Sequence, residues 1–272
     1  MSTPELEITE SVIIKIPGIR QNKRFLHISD AHIAKTYPDD SEAEQTEVTE
    51  SEKRWNDDGV SALESFHKLI RLVRKEAPDA VLMAGDMIDY YTESNVKCLK
   101  ELLEDFPTEY LYVCGNHEHG SYSLTLPDVD TMYSRLAPLM RNAVSFYVRD
   151  FEGFRIVCLD NSAFDITDEQ LEKMKAVMAE GVPILLVMHI PFWTEDFEKI
   201  AWSMLDRDEK TTDNARAFAR LIRSEESCVT AVIAGHEHLA WSGEFAPGRM
   251  QYVSAPVFER FVREIIVVSE EV

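Results

Sequence analysis

Short apolar runs alternate along the chain with longer segments in which apolar residues return every three or four positions. The short runs predict strands at Phe25–Ser29, Ala80–Ala84, Tyr110–Cys114, Ser145–Arg149, Arg155–Leu159, Ile184–Met188, Ala231–Ala234, Met250–Val253 and Arg263–Val268. Between them, Ser61–Glu76 places Leu63, Phe66, Leu69, Ile70 and Val73 on one face and predicts a helix. Thr167-Asp168-Glu169-Gln170 is a capping-box signature that opens a helix through Met178. Thr212–Ile222 predicts a shorter helix with Ala215, Phe218, Ala219 and Ile222 on its apolar side. Strands interleaved with helices are the pattern of an α/β protein.

Pro38–Asp58 breaks this pattern. Asp39, Asp40, Glu42, Glu44, Glu47, Glu50, Glu52, Asp57 and Asp58 crowd it, and apolar residues are almost missing. Such a composition belongs to a disordered or loosely held loop, either a solvated insertion or a lid.

The 272 residues are 45% hydrophobic, enough for a large buried core. The 28 Lys plus Arg against 49 Asp plus Glu give a formal net charge of -21. That field repels polyanions and speaks against a nucleic-acid partner, while a small anion can still be held by a local cluster of cations. No stretch approaches the roughly 20 apolar residues that span a bilayer, so no membrane partner is expected. Met1–Glu10 is acidic and has no apolar signal core. Cys98, Cys114, Cys158 and Cys228 are widely spaced, and Cys114 and Cys158 fall in strand-like runs. Reduced, buried thiols and a cytoplasmic location are the expectation.

Chemistry collects after five of the strands. Phe25–Ser29 runs into Asp30 and His32; Ala80–Ala84 into Gly85, Asp86 and Asp89; Tyr110–Cys114 into Gly115, Asn116, His117 and Glu118. Ile184–Met188 ends at His189, and Ala231–Ala234 runs into Gly235, His236, Glu237 and His238. Open α/β sheets place ligands at the carboxyl ends of their strands. Carboxylate, imidazole and amide oxygen together suit a first-row divalent or trivalent metal, and the absence of Cys argues against a structural zinc site. Gly85, Gly115 and Gly235 allow sharp turns and close approach. Asp30 and His32 are two apart, as are His236 and His238, so on extended strand ends each pair would point the same way.

In this order, Asp30-x-His32, Gly85-Asp86-x-x-Asp89, Gly115-Asn116-His117-Glu118, His189 and Gly235-His236-x-His238 resemble the motifs of the calcineurin-like metallophosphoesterase superfamily. The resemblance implies one domain over residues 1–272, with an acidic insertion near 38–58, folded as a four-layer α/β/β/α sandwich of two mixed sheets flanked by helices. It implies two metal ions (Mn, Fe or Zn). Asp30, His32, Asp86 and His238 would hold one, and Asp86, Asn116, His189 and His236 the other. His117 would face the scissile phosphate of a small phosphorylated substrate, oriented by Asp89. Two ions roughly 3.5–4 Å apart can activate a bridging hydroxide for attack on phosphorus. The Ser/Thr protein phosphatases of the superfamily carry Asp-Arg-Gly at the second motif, whereas Tyr90 and Tyr91 follow Asp89 here, which argues against protein dephosphorylation. The reading from another class is a non-catalytic metal-binding scaffold of the same fold, expected to lose His117 or several ligands. Glu118 supports a ligand or is plain surface charge. His119 and Lys35 read as surface residues, His27 as structural, and Pro191-Phe192-Trp193 as pocket wall or core. Arg249, Arg260 and Arg263 lie in or beside the last two strands.

Overall fold

The computed structural model describes residues 4–201, 203–207 and 211–270. One sheet contains β1 (Glu10–Pro17), β2 (Lys23–Ile28), β5 (Ala80–Met83), β6 (Tyr110–Tyr112) and β13 (Arg263–Glu270), in the order β1-β13-β2-β5-β6. The other contains β7 (Phe146–Phe151), β8 (Phe154–Leu159), β9 (Ile184–Val187), β10 (Val229–Ala234), β11 (Trp241–Ala246) and β12 (Arg249–Val253), in the order β11-β12-β10-β9-β8-β7. Both sheets are mixed. β2, β5 and β6 are mutually parallel, as are β8, β9, β10 and β12, while β13 runs antiparallel to β2 and β7 and β11 pair antiparallel at the edges of the second sheet.

The period-two alternation of side chains turns this topology into four layers. In β8, Ile156 and Cys158 join the cluster between the sheets, while Val157 and Leu159 face the helices on the far side. β9 divides in the same way, with Leu185 and Val187 inward and Ile184 and Leu186 outward. The outer helices on that side are α5 (Asp168–Met178) and α6 (Asp213–Arg223), which contribute Leu171, Met174, Phe218 and Ile222. The first sheet is covered by α2 (Ala62–Glu76) and α3 (Glu93–Glu104) through Phe66, Leu69, Val73, Leu99 and Leu103. Full burial of a residue such as Phe66 contributes about 1.5–3 kcal/mol. Helix starts follow the expected chemistry: the Thr167–Gln170 capping box opens α5, and the Thr212 hydroxyl accepts the Ala215 N–H at 3.1 Å to open α6. The α/β sandwich of two mixed sheets is thus the observed architecture. No helix among the described residues is long and apolar enough to cross a membrane.

Seven elements differ from the expectation drawn from the sequence. β1, β11, α3 and α4 (Val129–Leu136) were not anticipated. The acidic segment is not a structureless loop: it forms α1 (Glu42–Arg54), followed by a hairpin of β3 (Asn56–Asp57) and β4 (Val60–Ser61). Ser41 and Glu44 make a capping box, Glu42 and Glu44 sit at the positive end of the helix dipole, and Lys53 and Arg54 at the negative end. Val48 packs with Ala34 and Tyr90, and Arg260 pairs with Asp57 and Asp58 beyond the helix.

Candidate metal centre

The carboxyl ends of β2, β5, β6, β9 and β10 meet where the two sheets abut. Gly235 N–H donates to His189 O at 3.0 Å, and Asp30 N–H to Gly85 O at 3.0 Å. Beyond the strands the backbone is not extended. Asp30 (φ 54), His32 (φ 46), Asp86 (φ 55), His236 (φ 75) and His238 (φ 52) all occupy the left-handed region. The expectation of extended ends with paired side chains is therefore corrected: a positive φ at each residue curls the chain and turns the side chains inward. Non-glycine residues held there cost of order 1–3 kcal/mol each, and such strain concentrates at functional sites. The glycines leave the room this requires. A Cβ on Gly235 would collide with Ser29 Oγ, and one on Gly115 with the Asp86 carboxylate.

All nine residues singled out in the sequence converge here. Asp30, His32 and His238 offer ligand atoms within 4.8 Å of one another, as do Asp86, His189 and His236, and also His32, Asp86 and His117. His32 Nε2 lies 3.0 Å from His238 Nε2, and His238 Nε2 lies 3.4 Å from Asp30 Oδ1. On the other side His189 Nε2 is 3.2 Å from Asp86 Oδ2, from Asn116 Oδ1 and from His236 Nδ1. Two ligands at right angles on bonds of about 2.1 Å stand about 3 Å apart, so these spacings fit metal coordination. Each carboxylate is held by one oxygen: Asp30 Oδ2 accepts the His236 N–H at 3.1 Å, and Asp86 Oδ1 the His117 N–H at 2.8 Å. The other oxygen faces the cluster, and Asp30 Oδ1 is buried there with no hydrogen-bond partner. His189 Nδ1 sits 2.7 Å from Ala84 O and His32 Nδ1 3.2 Å from Asp89 Oδ1, which sets both rings as Nδ1–H donors with Nε2 free for a ligand role.

A family model described as calcineurin-like phosphoesterase matches residues 23–240, the span that carries every one of these residues. The chain belongs to that family. Members are metal-dependent phosphoesterases, and the two Asp/His clusters suit that chemistry. Among curated proteins, the chain is 22% identical over 203 residues to a "Probable cyclic nucleotide phosphodiesterase" of Ruthia magnifica subsp. Calyptogena magnifica, covering 73% of this chain and 77% of that one. Among solved structures it resembles a dimetal phosphatase from Danio rerio, with TM-score 0.59 and 16% identity over 87% of this chain and 88% of that one. It also resembles a purple acid phosphatase from yellow lupin, with TM-score 0.54 and 14% identity over 91% of this chain and 46% of that one. At these identities the two structures speak to the shared fold.

The electrostatics of this phosphoesterase are dominated by burial and by two charged carboxylates. Burial pulls the His189 pKa down, but Asp86 and Asp30 overcome it and push it up to about 10. His117 follows the same logic: burial opposes, Asp86 and Asp89 prevail, and its pKa rises to about 9. His236 is pushed down to about 3 by burial and by the charge of His189. Asp89, although burial works the other way, is held below the usual carboxylate range by His117 and His32. A metal entering the cluster displaces protons from these imidazoles, so its affinity falls as pH drops.

Glu118 is fully buried and resolves the alternative left open for it. Its carboxylate accepts the backbone N–H groups of Asp86 (2.9 Å), Met87 (2.6 Å), Gly115 (2.6 Å) and Ile88 (3.3 Å), and the Tyr112 hydroxyl (2.6 Å). It is the clamp that ties the loop after β5 to the loop after β6. Burial and the Asp86 charge push its pKa up to about 7, while the Tyr112 hydroxyl and the Gly115 N–H favour the anion. His119 is not a free surface residue: its Nε2 lies 2.8 Å from Ser162 Oγ. His27 is structural, fully buried between Ala234 O at 3.0 Å and Arg263. Phe192 belongs to the core, stacked on Phe218 and Phe245. Lys35 pairs with Glu101 at the surface. Arg249 binds the carbonyls that end α6, and Arg263 bonds Glu10 and Val253 O. Trp55 and Tyr122 were missed altogether; both donate to Asp89 Oδ1, at 2.6 and 3.1 Å. A lone tryptophan in an otherwise acidic segment was the signal available for the first.

Proposed function

We propose that the chain hydrolyses a small phosphoester with two first-row metal ions (Mn, Fe or Zn), one held by Asp30, His32, Asp86 and His238 and the other by Asp86, Asn116, His189 and His236. The observation that carries this reading is the pair of abutting ligand clusters, with Asp86 between them and Asp30 Oδ1 buried without a hydrogen-bond partner. When bound, such a pair activates water and neutralises charge on the phosphoryl oxygens. His117 does the proton work. Its Nδ1 lies 2.5 Å from Asp89 O and 3.2 Å from Asp89 Oδ1, so Nδ1–H is committed to Asp89 and Nε2 faces the cluster. With Nδ1 bonded to Asp89, Nε2–H is the group placed to donate to the leaving oxygen. The substrate enters a cleft of about 170 Å³ lined by Asp89, Asn116, His117, Gly120, Ser121 and Tyr122.

The name of the Ruthia relative supports a phosphodiester as the first substrate class to try. Three buried free cysteines, Cys98, Cys114 and Cys158, support a reducing compartment such as the cytoplasm. Retention of His117 and Asp89 favours catalysis over a scaffold. The test is a screen of phosphomonoesters, phosphodiesters, cyclic nucleotides and nucleotide anhydrides with Mn, Fe or Zn supplied. Metal-dependent turnover of at least one class is expected; metal binding with no turnover of any would favour the scaffold.

A further inference from the structure

We propose that Trp55, delivered by the acidic helix, is a positioning residue that sets Asp89 and through it the proton donor His117. This rests on the reading of His117 given above. Trp55 ends α1, where its backbone N–H donates to Ser51 O at 2.8 Å. Its indole lies flat on the His32 imidazole, with centroids 4.3 Å apart and planes 18° from parallel, and its edges meet His238 and Phe258. From that position the indole N–H donates to Asp89 Oδ1 at 2.6 Å. The same oxygen faces His32 Nδ1 and His117 Nδ1, each at 3.2 Å, whereas Asp89 Oδ2 is buried with no hydrogen-bond partner. One carboxylate oxygen thus serves two imidazoles at once, and the rotation of the carboxylate decides whether it reaches both.

The indole is suited to fix that rotation because its N–H is a donor only and does not titrate. It makes the shortest of the contacts to Oδ1, and the ring cannot swing away while it is stacked on His32. Without this N–H the carboxylate loses its shortest contact, and only the longer ones from the Tyr122 hydroxyl (3.1 Å) and the two imidazoles (3.2 Å each) are left to set its rotation. The helix itself has almost no apolar face; Val48 and Ser51 are its buried residues. The hairpin after it is pinned by Arg260. The acidic segment is therefore an arm that brings Trp55 to the site, with Arg54 beside it over the Tyr122 ring.

Trp55→Phe keeps the stacked ring and deletes the N–H. In the metal-loaded enzyme it is expected to retain full metal content and to lower kcat about tenfold, with KM within about twofold, as loss of a hydrogen bond to a charged acceptor does. The loss should be larger for alkoxide leaving groups, which need a proton, than for 4-nitrophenolate, which does not. The double variant Trp55→Phe/Asp89→Ala should fall no further than Asp89→Ala alone, because Asp89→Ala already removes the oxygen that the indole N–H reaches. Independently of turnover, the Trp55 indole N–H in a ¹⁵N spectrum of the metal-loaded protein should exchange slowly with solvent and shift on Asp89→Asn. Unchanged kcat in Trp55→Phe, loss of metal in that variant, or an indole N–H that exchanges freely would each overturn the proposal. If the wild-type enzyme turns over a substrate and Trp55→Phe does so equally well, positioning fails alone. If the wild-type enzyme turns over none, the proposed function fails and this inference with it.

Discussion

Replacing Glu118 with glutamine probes how the site loops are held together. The side chain keeps its shape, but one of the two acceptor oxygens becomes an NH₂ group and the negative charge is lost. Oε2 accepts from Asp86 N–H and Gly115 N–H; Oε1 accepts from Met87 N–H, Ile88 N–H and the Tyr112 hydroxyl. Whichever way the amide turns, at least two buried N–H donors face another donor. A hydrogen bond to a charged group contributes about 1.5–3 kcal/mol, and an orphaned buried donor costs about 1–3 kcal/mol. Part of this is offset because the buried charge and its repulsion with Asp86 disappear, which leaves a net loss of about 3 kcal/mol. For a chain of this size about 1 kcal/mol moves Tm by roughly 2–4 °C, so Glu118→Gln should melt about 6–12 °C below wild type when both are metal-free. Because Asp86 N–H is one of the lost partners, metal affinity should fall as well. Calorimetry on the stripped proteins at a pH above about 8, where the Glu118 carboxylate is ionised, and metal titration of both would read these effects. A Tm within about 2 °C of wild type and unchanged metal affinity would refute the clamp.

His117→Ala should leave metal content intact and lower turnover by about 10²–10⁴-fold; metal loss in that variant, seen by elemental analysis, would show that the ring is a ligand instead. Gly235→Ala places a Cβ against Ser29 Oγ and 2.7 Å from Asp30 Oδ2, so it should weaken metal binding and destabilise by about 1–3 kcal/mol of overpacking. Wild-type Tm and metal affinity in Gly235→Ala would contradict that. Stripping the metal with a chelator should lower Tm: a ligand present at about 1,000 times its Kd stabilises by about 4 kcal/mol, or roughly 8–16 °C here. An unchanged melting curve with chelator would mean that nothing binds the folded cluster.

The site was legible because its chemistry is written in side-chain types: Asp30, His32, Asp86, Asn116, His117, His189, His236 and His238 each follow a readable apolar run. The backbone that aims them was not legible, since a left-handed φ at Asp or His leaves no mark in the sequence comparable to a glycine. Among the missed elements, α3 had a signal in Val96, Leu99 and Leu103 and in its cap Thr92. β1 alternates Ile14 and Ile16 inward with Ser11 and Lys15 outward, but Ile13, 60% exposed, blurs the pattern. α1 was hidden for a physical reason. A helix normally announces itself by an apolar stripe, and this one is specified by its caps and terminal charges. The contacts of Trp55 and Glu118 join residues about thirty positions apart and exist only once the sheets have assembled.

Anomalous diffraction from crystals of the manganese-loaded protein measures the two-ion claim without recourse to activity. Two peaks are expected, one among Asp30, His32 and His238 and one among Asn116, His189 and His236, with Asp86 touching both. A single peak, or peaks away from these side chains, would contradict it.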